Sequence, residues 1–223
     1  MPLRQRSFGK LACYLVFGFG IGYAGITVMG LLSLSTPEDQ IEDPYYAIME
    51  IMSIMISLLM AIGLTALHAG LPDFGKLFGR MSVSLMWVAS SITSSVHFTV
   101  LSMRYSLSPE ELRKLDYLFS FKWPSVAYAL DILAWDWFFA LSLLFAAAAL
   151  SGGSSSGALR VMLLMGGILS LAGLLGIPWD NMQIRNIGIL GYAVIAPIAF
   201  LMMGRMLSRK MDLSDKQQTS VNK

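Results

Sequence analysis

Residues 45–70 read YYAIMEIMSIMISLLMAIGLTALHAG, and this stretch decides the fold. It contains no proline, and Glu50 is its one carboxyl group and His68 its one imidazole. A helix needs about 20 mainly apolar residues to cross ~30 Å of hydrocarbon at about 1.5 Å per residue. The stretch is long enough, so it predicts a membrane-spanning helix.

Five further stretches, one before it and four after it, have the same length and character. The composition agrees, because 56% of the residues are hydrophobic and 13% are charged, whereas an ordinary soluble domain is about 25% charged. The sequence therefore predicts an all-α membrane helix bundle that forms a single domain over residues 1–223 and ends in a polar tail at 208–223. The six predicted spans are residues 11–35, 45–70, 81–103, 124–150, 158–178 and 188–207.

The first apolar stretch follows Arg4, Arg6 and Lys10, as the apolar part of a secretory signal peptide would. The apolar part of a signal peptide is about 7–15 residues long, but this stretch continues from Leu11 to Leu34 without a convincing cleavage site. We therefore expect it to remain in the chain as a signal anchor.

The basic residues are distributed unevenly between the two sides of the predicted bundle. Eleven Lys and Arg fall on the side of the termini and five on the other side. Because Lys and Arg are disfavoured in short translocated loops, we expect both termini in the cytoplasm. The net charge of +2, without a basic stripe, excludes a nucleic-acid partner. The expected partner is the lipid bilayer, whose anionic headgroups suit the basic flank Arg205, Arg209 and Lys210.

Two segments between the spans have a recognisable pattern. Ser108-Pro109-Glu110-Glu111 is typical of a capped helix start, with Ser108 as N-cap and Pro109 at the first helical position. It predicts a short surface helix on the outer side. Residues 151–157 read SGGSSSG and predict a flexible tether, because they lack the lysine and spacing of a phosphate-binding loop.

Five ionisable residues lie inside the predicted spans, where each costs at least ~2.5–3.5 kcal/mol at the centre of the bilayer. Glu50, His97 and Asp131 each lie about two turns below the outer end of their own span, so we expect them to share one layer. His68 lies near the inner end and is excluded from that layer. Asp136 lies roughly 7 Å deeper than Asp131 and about 140° around an ordinary helix, so we expect it to face a different neighbour.

Polar residues at helical spacing extend from each member of this layer, as expected of faces that line a cavity. Tryptophans lie nearby, and three polar residues of the last outer loop are placed to cover the layer from above. The polar stripes are Ser53, Ser57 and Thr65 in the second span, Ser90, Thr93 and Ser94 in the third, and Tyr128, Trp135 and Ser142 in the fourth; the covering residues are Asp180, Asn181 and Arg185.

Each of these residues also has a purely structural explanation. Glu50 is shallow enough to extend its carboxylate to the interface, and His97 can be a hydrogen-bonded packing residue. Trp137 and Trp179 suit the interfacial aromatic belt.

A metal centre is not predicted. The sequence lacks HxxxH, HExxH and paired Glu-xxx-His spacings, and a catalytic zinc site takes at least two histidines, which this layer does not offer. His68 and His97 belong to opposite halves, which disfavours haem ligation. We expect neither a metal nor another cofactor.

The layer suits general acid–base catalysis on a lipophilic small molecule that arrives from the bilayer, as in an isomerase or a terpene-cyclase-like enzyme. A buried acid would protonate an alkene or epoxide, and aromatic faces would stabilise the resulting cation. The predicted catalytic residues are Glu50, Asp131, His97 and Asp136, and the predicted substrate-binding residues are Trp135, Tyr128, Ser94, Ser53 and Trp179.

Two other hypotheses use the same residues. In the first, the carboxylates alternate between protonation states in a small proton- or cation-coupled transporter. In the second, the chain is a non-catalytic subunit or assembly partner of another membrane protein. The absence of a paired broken-helix repeat in the sequence argues against the transporter.

The strings WDWFFALSLLFAA at 135–147 and GGILSLAGLLG at 166–176 resemble small bacterial multi-span membrane proteins of uncharacterised function. The resemblance covers about the last hundred residues and implies no activity. In its chemistry, the acidic layer is similar to the sites of membrane-embedded terpene cyclases and sterol isomerases, and no residue role is taken from either group.

Overall fold

The computed structural model describes residues 3–36, 40–151 and 157–221, with side chains described at 5–36, 40–151 and 157–208. Every regular element in these ranges is helical. Six helical segments of the described chain are long and apolar enough to cross a membrane, as predicted. Most of the predicted tether at 151–157 and the acidic residues Glu38 and Asp39 lie outside the described residues.

Within the described residues, the chain forms ten α-helical segments, two π-helical segments and a short 3-10 turn. The first three spans are single helices, and two short helices lie between the third and fourth spans. The elements are α1 (Leu3–Leu32), α2 (Tyr45–Ala69), α3 (Asp73–Ser106), α4 (Pro109–Lys114), α5 (Asp116–Phe119), α6 (Val126–Ile132), the first π segment (Leu133–Phe139), α7 (Ala140–Ala149), α8 (Gly157–Gly173), the 3-10 turn (Leu174–Gly176), α9 (Met182–Ile189), the second π segment (Leu190–Ile195) and α10 (Ala196–Val221).

Some helices extend well past the predicted spans. The third was predicted at 81–103, but α3 begins at Asp73 and has 34 residues, which is about 51 Å at 1.5 Å per residue. A helix can continue beyond the ~30 Å hydrocarbon layer because its polar ends are solvated there. The sixth span begins at Met182, six residues before the predicted start, where the Asn181 side chain accepts a hydrogen bond from the Gln183 amide and caps α9.

Neighbours in the sequence pack side by side, and the last helix returns to the first. Helix α1 packs on α2 and α10, α2 packs on α3, α3 on α7, and α7 on α8. The hydroxyls of Tyr14 in α1 and Ser208 in α10 are hydrogen-bonded at 3.3 Å, so the start of α1 and the end of the sixth span lie together. We call this end of the bundle the termini end and the opposite end the far end.

The core at the termini end is close-packed and apolar. Cys13, Leu64, Phe200 and Met203 are fully or almost fully buried there. Gly63 permits this packing, because a Cβ atom at that position would lie 2.9 Å from the Phe200 ring and 3.1 Å from the Cys13 sulfur. This half of the bundle is held together by close contact between apolar side chains.

The short helix predicted on the outer side is present as α4. Its N-terminus carries a complete capping box, in which the Ser108 hydroxyl accepts from the Glu111 amide and the Glu111 carboxylate accepts from the Ser108 amide. The hydrogen bonds from Ser108 to the ionised carboxylate lower the pKa of Glu111 below its ordinary value. The capping prediction is therefore confirmed.

The fourth and sixth spans each contain a π-helical segment near mid-length. Hydrogen bonds in such a segment run from residue i to i+5, so a turn holds more residues than in an α-helix. In the fourth span this segment includes Trp135 and Asp136, and in the sixth it includes Tyr192. The two segments meet through the rings of Trp135 and Tyr192, whose centroids are 5.3 Å apart.

Candidate functional site

Glu50 in α2 and His97 in α3 form a buried pair in the far half of the bundle. The distance between Glu50 Oε2 and His97 Nδ1 is 2.7 Å, and both side chains are almost completely shielded. Because α2 and α3 are antiparallel neighbours, two residues that lie about two turns from the far end of each helix face one another. The shared layer predicted for these residues is what the structure shows.

Asp131 in α6 lies on the other side of the same imidazole. Its Oδ1 atom is 3.4 Å from His97 Nε2, and its Oδ2 atom is 3.7 Å from Arg185 Nη2 in α9. The Asp131 side chain is 13% exposed, against 8% or less for its charged neighbours. Asp131 is therefore the member of the cluster that is nearest to the surface.

Asp136 joins the cluster through Arg185, contrary to the expectation that it faces elsewhere. Arg185 Nε lies 3.4 Å from Asp136 Oδ2. The expectation assumed an ordinary α-helix, but Leu133–Phe139 is π-helical. Asp131 precedes this segment and Asp136 lies within it. Because each residue of a π-helical turn rotates the chain by less than 100°, the angle between the two side chains is smaller than the 140° of an ordinary helix, and both carboxylates lie near the same guanidinium.

The cluster is thus a series of five alternating groups, Glu50, His97, Asp131, Arg185 and Asp136, which we call the charge cluster. It connects α2, α3, the fourth span and α9. Three carboxylates face one arginine and one histidine, so the cluster carries a net negative charge unless it also holds protons. Within the described chain, the Asp136 oxygens, Asp131 Oδ1 and the Arg185 nitrogens Nε and Nη2 are buried and have no aligned hydrogen bond. The charged atoms therefore lie within ion-pair distance of one another, but these contacts lack the alignment of hydrogen bonds.

Arg185 is buried because glycines let α9 approach its neighbours. A Cβ atom on Gly176 would lie 2.7 Å from the Arg185 amide nitrogen, and one on Gly173 would lie 3.0 Å from the Arg185 carbonyl oxygen. A Cβ atom on Gly188 would lie 2.5 Å from Asp136 Oδ1. Arg185 was not among the predicted site residues, because the polar residues around it suggested a loop that covers the site. The start of α9 at Met182 places it within the span.

Aromatic rings surround the charge cluster. The ring of Phe121 stacks on His97 with centroids 5.0 Å apart. The Arg185 guanidinium carbon lies 4.9 Å from the centre of the Tyr128 ring and 5.7 Å from that of Tyr192. Such contacts stabilise a cation by about 0.5–2 kcal/mol each. Of these rings, the sequence had singled out Tyr128 alone.

The other predicted substrate-binding residues lie at different distances from the cluster. Trp135 is buried and packs edge-on against Phe139. Ser53 donates a hydrogen bond to the Met49 carbonyl within its own helix, and the buried Ser94 hydroxyl has no hydrogen-bond partner among the described residues. Trp179 is 63% exposed in the connection before α9, which suits an interfacial residue.

A second polar group lies between the charge cluster and the far-end surface. Asp43 accepts a hydrogen bond from the Tyr105 hydroxyl at 3.0 Å and lies 3.7 Å from Arg104 Nε. The Arg104 guanidinium stands 4.3 Å over the ring of Tyr46, one helical turn before Glu50. Polar groups therefore continue from Glu50 to the partly exposed Arg104.

The described residues contain no group of three or more His, Cys, Asp or Glu side chains placed to hold a metal ion. His68 lies near the termini end and contacts none of the residues of the charge cluster. An open groove of about 500 Å³ also lies at the termini end, between Gln5, Phe8, Ile62 and Trp87, and its lining is mainly apolar.

Comparisons of the chain with protein-family models, curated proteins and solved structures found no match. The resemblance of 135–147 and 166–176 to small bacterial multi-span proteins stays a prediction.

Proposed function

We propose that this multi-pass membrane protein performs acid–base chemistry on a lipophilic small molecule, with Asp131 as the group that meets that molecule. The observation that carries the proposal is the position of His97, which lies 2.7 Å from Glu50 and 3.4 Å from Asp131 inside an apolar bundle. An imidazole between two carboxylates can take a proton from one and return it. Burying three such ionisable groups in a membrane costs free energy, and groups of this kind are usually retained because they have a function.

The proton positions follow from the two ring nitrogens. With a proton on Nδ1, His97 donates to Glu50 and presents the lone pair of Nε2 to Asp131. A proton can then rest either on Asp131 or on Nε2. In an isomerisation, protonated Asp131 would give its proton to one carbon of an alkene, and the resulting carboxylate would remove a proton from another carbon. Asp131 is then protonated again, and His97 Nε2 can hold that proton between the two steps by exchange with Asp131, so the protein ends in its starting protonation state.

The surroundings of Asp131 fit a substrate that arrives from the bilayer. The neighbouring residues Val126, Leu130 and Leu133 expose apolar side chains on the outside of the bundle. On the protein side, Arg185 Nη2 lies 3.7 Å from Oδ2 and holds the carboxyl group in position. Asp136 is a positioning residue, because it holds Arg185, which contacts Asp131. Glu50 is also a positioning residue, because it orients the imidazole of His97.

Deuterium labelling tests this proposal without a known substrate. Membranes that contain the protein are incubated in deuterium oxide, and their apolar lipids are analysed by mass spectrometry for deuterium bound to carbon. Wild type should label at least one lipophilic compound, and Asp131→Asn and His97→Gln should lower that labelling by about 100-fold or more, as expected for the loss of a general acid or base.

The matched control is Asp116→Asn, which makes the same chemical change at an exposed carboxylate outside the cluster. It should label as wild type does. Equal labelling by wild type, Asp131→Asn and empty membranes would refute the proposal.

A proton-coupled transporter is the second candidate. It is favoured by the polar series that leads from the charge cluster through Tyr46 and Arg104 to Asp43 at the far end. In that case a pH gradient across proteoliposomes would drive uptake of a solute, and Glu50→Gln would abolish the uptake while no lipid acquired deuterium at carbon.

A further inference from the structure

Helices α2 and α3 each carry a polar face that continues from the charge cluster to the termini end. Along α2 the polar residues follow one another at intervals of 3, 4 and 11 residues, and along α3 at 4, 3 and 8, which keeps each set within an arc of about 80° on one helix face. We call these two faces together the polar seam. Its members are Glu50, Ser53, Ser57 and His68 in α2, and His97, Thr93, Ser90 and Ser82 in α3.

The two faces meet at three levels. At the far level, His97 Nδ1 lies 2.7 Å from Glu50. At the middle level, the Ser90 hydroxyl donates to the Ser57 hydroxyl at 3.2 Å. At the termini end, α3 approaches so closely that a Cβ atom on Gly79 would lie 2.8 Å from His68 Nδ1. Glu50 and His68 are 18 residues apart, about 27 Å along the helix, so the seam is nearly as long as the ~30 Å hydrocarbon layer.

Two buried polar atoms of the seam are left without a partner. Thr93, between His97 and Ser90, is 1% exposed, and its hydroxyl has no hydrogen-bond partner among the described residues. The same holds for Nδ1 of His68. An unsatisfied buried polar group destabilises the folded state, and alanine or valine at that position would avoid this loss. Packing alone therefore does not explain these side chains.

We propose that the polar seam conducts protons between the charge cluster and the termini end, with Asp131, the member of the cluster nearest to the surface, as the group that exchanges protons with the far side. At rest, the Ser53 and Ser57 hydroxyls donate to the Met49 and Ile54 carbonyls of their own helix. In each step a hydroxyl turns from its acceptor, accepts a proton on a lone pair and releases its own proton to the next group. His97 and His68 take up and release protons at the two ends of the series. One proton leaves one side for each that appears on the other. This function goes beyond chemistry at Asp131 and does not depend on it.

Met86 interrupts the seam. It lies between Ser90 and Ser82 on the same face of α3, is completely buried, and has a side chain without N–H or O–H groups. Ser90 and Ser82 are eight residues apart, about 12 Å along the helix, so no direct hydrogen bond connects them. Beyond the gap, the Ser142 hydroxyl of α7 donates to the Ser82 carbonyl at 2.8 Å and continues the polar series. Met86 thus forms the longer of two gaps on the α3 side of the seam, the shorter being at Thr93, whose hydroxyl has no partner among the described residues, and we expect Met86 to be the main barrier to proton transfer.

Proton flux into proteoliposomes tests this inference. Vesicles enclose a pH-sensitive dye, and a potassium gradient with valinomycin drives protons inward. Wild type should acidify the interior several-fold faster than protein-free vesicles, and Ser90→Ala should lower the protein-dependent rate at least threefold. The control is Ser91→Ala, one position along, where the exposed hydroxyl bonds the Trp87 carbonyl of its own helix. It should leave the rate unchanged.

Met86→Gln supplies a gain of function, because a polar side chain of similar length bridges the gap, whereas Met86→Leu does not. We expect a faster rate for Met86→Gln and a wild-type rate for Met86→Leu. Adding His97→Gln to Met86→Gln should abolish the gain, which separates conduction along the seam from leakage through a damaged protein. A wild-type rate equal to that of protein-free vesicles, or a gain that survives His97→Gln, would overturn the inference. Neither flux result predicts a change in the deuterium labelling of lipids at carbon, so failure of this inference and failure of the proposed function can be told apart.

Discussion

The two halves of this bundle are held together by different physics. In the far half, the charge cluster joins four helices through ion pairs at 2.7–3.7 Å. In the termini half, Cys13, Leu64, Phe200 and Met203 pack against one another with no ionised group among them. The far half therefore depends on charge balance, where removing one partner costs more than removing both, and the termini half depends on volume.

The largest effect should come from breaking the charge balance. Arg185→Leu leaves Asp131 and Asp136 buried without their cation, and the removal of one partner of a buried pair costs about 3–5 kcal/mol. The free energy of unfolding, measured by titration of the purified protein with SDS and followed by tryptophan fluorescence, should fall by that amount.

The double variant Arg185→Leu/Asp136→Leu should recover most of the lost stability, because it removes one negative charge together with the positive one. It should not recover acid–base activity at Asp131. A double variant that is less stable than Arg185→Leu would show that the far half is held by packing, as the termini half is.

An added methyl group should affect function when it is placed in the far half and should not when it is placed in the termini half. Gly63→Ala places a methyl group 2.9 Å from the Phe200 ring in the termini half, and Gly188→Ala places one 2.5 Å from Asp136 in the far half. Overpacking costs about 1–3 kcal/mol, so both variants should lose stability in the SDS titration.

Deuterium labelling and proton flux should fall with Gly188→Ala alone, because only that methyl group displaces a carboxylate from Arg185. Equal loss of activity in the two glycine variants would mean that the charge cluster responds to any change in packing.

Hydroxyl pairs in the termini half should contribute little to stability. The Ser82 and Ser142 hydroxyls are 3.3 Å apart, and Ser142 also bonds the Ser82 carbonyl. Hydrogen bonds between membrane helices contribute about 0.6 kcal/mol on average. A double-mutant cycle of Ser82→Ala and Ser142→Ala should therefore give a coupling free energy of that size. A coupling free energy as large as the loss of stability expected for Arg185→Leu would show that polar contacts stabilise both halves strongly.

The smallest effect should lie on the surface, where water screens charge. The Ser108 hydrogen bonds lower the pKa of Glu111, so they stabilise the start of α4 above the ordinary glutamate pKa of about 4.3 and are lost as pH falls through the lower pKa of the folded state. The amide NMR shift of Glu111 should report this titration. Ser108→Ala should move its midpoint up toward the ordinary value while both halves of the bundle stay unchanged.

Apolar length was sufficient to predict the six helical segments that can cross a membrane. Apolar length did not predict the ends of the helices. Helix α3 begins at Asp73, well before its apolar run starts, because a helix can continue beyond the hydrocarbon layer. Depth counting also placed Glu50, His97 and Asp131 in one layer, since antiparallel neighbours of known length leave little freedom.

Arg185 was predicted to cover the layer from a loop, but its burial between Asp131 and Asp136, and the position of Asp136, could not be read from the sequence. Arg185 lies among Gln183 and Asn186, a composition typical of a loop, and its burial depends on glycines of another helix. The direction of Asp136 depends on a π-helical segment that has no simple residue signature. Both result from contacts between helices that are distant in the sequence.

The π segments also bear on how such a protein can change. A segment of this kind holds one more residue than the α-helix it replaces, and one residue turns a helix by about 100°. In the fourth and sixth spans it lies between the far half and the termini half. Deleting a single residue there would restore an ordinary α-helix and leave the helical turns on either side in their present orientation. Only the side chains within the segment, Asp136 among them, would change direction, so the charge cluster can be altered without repacking the termini half.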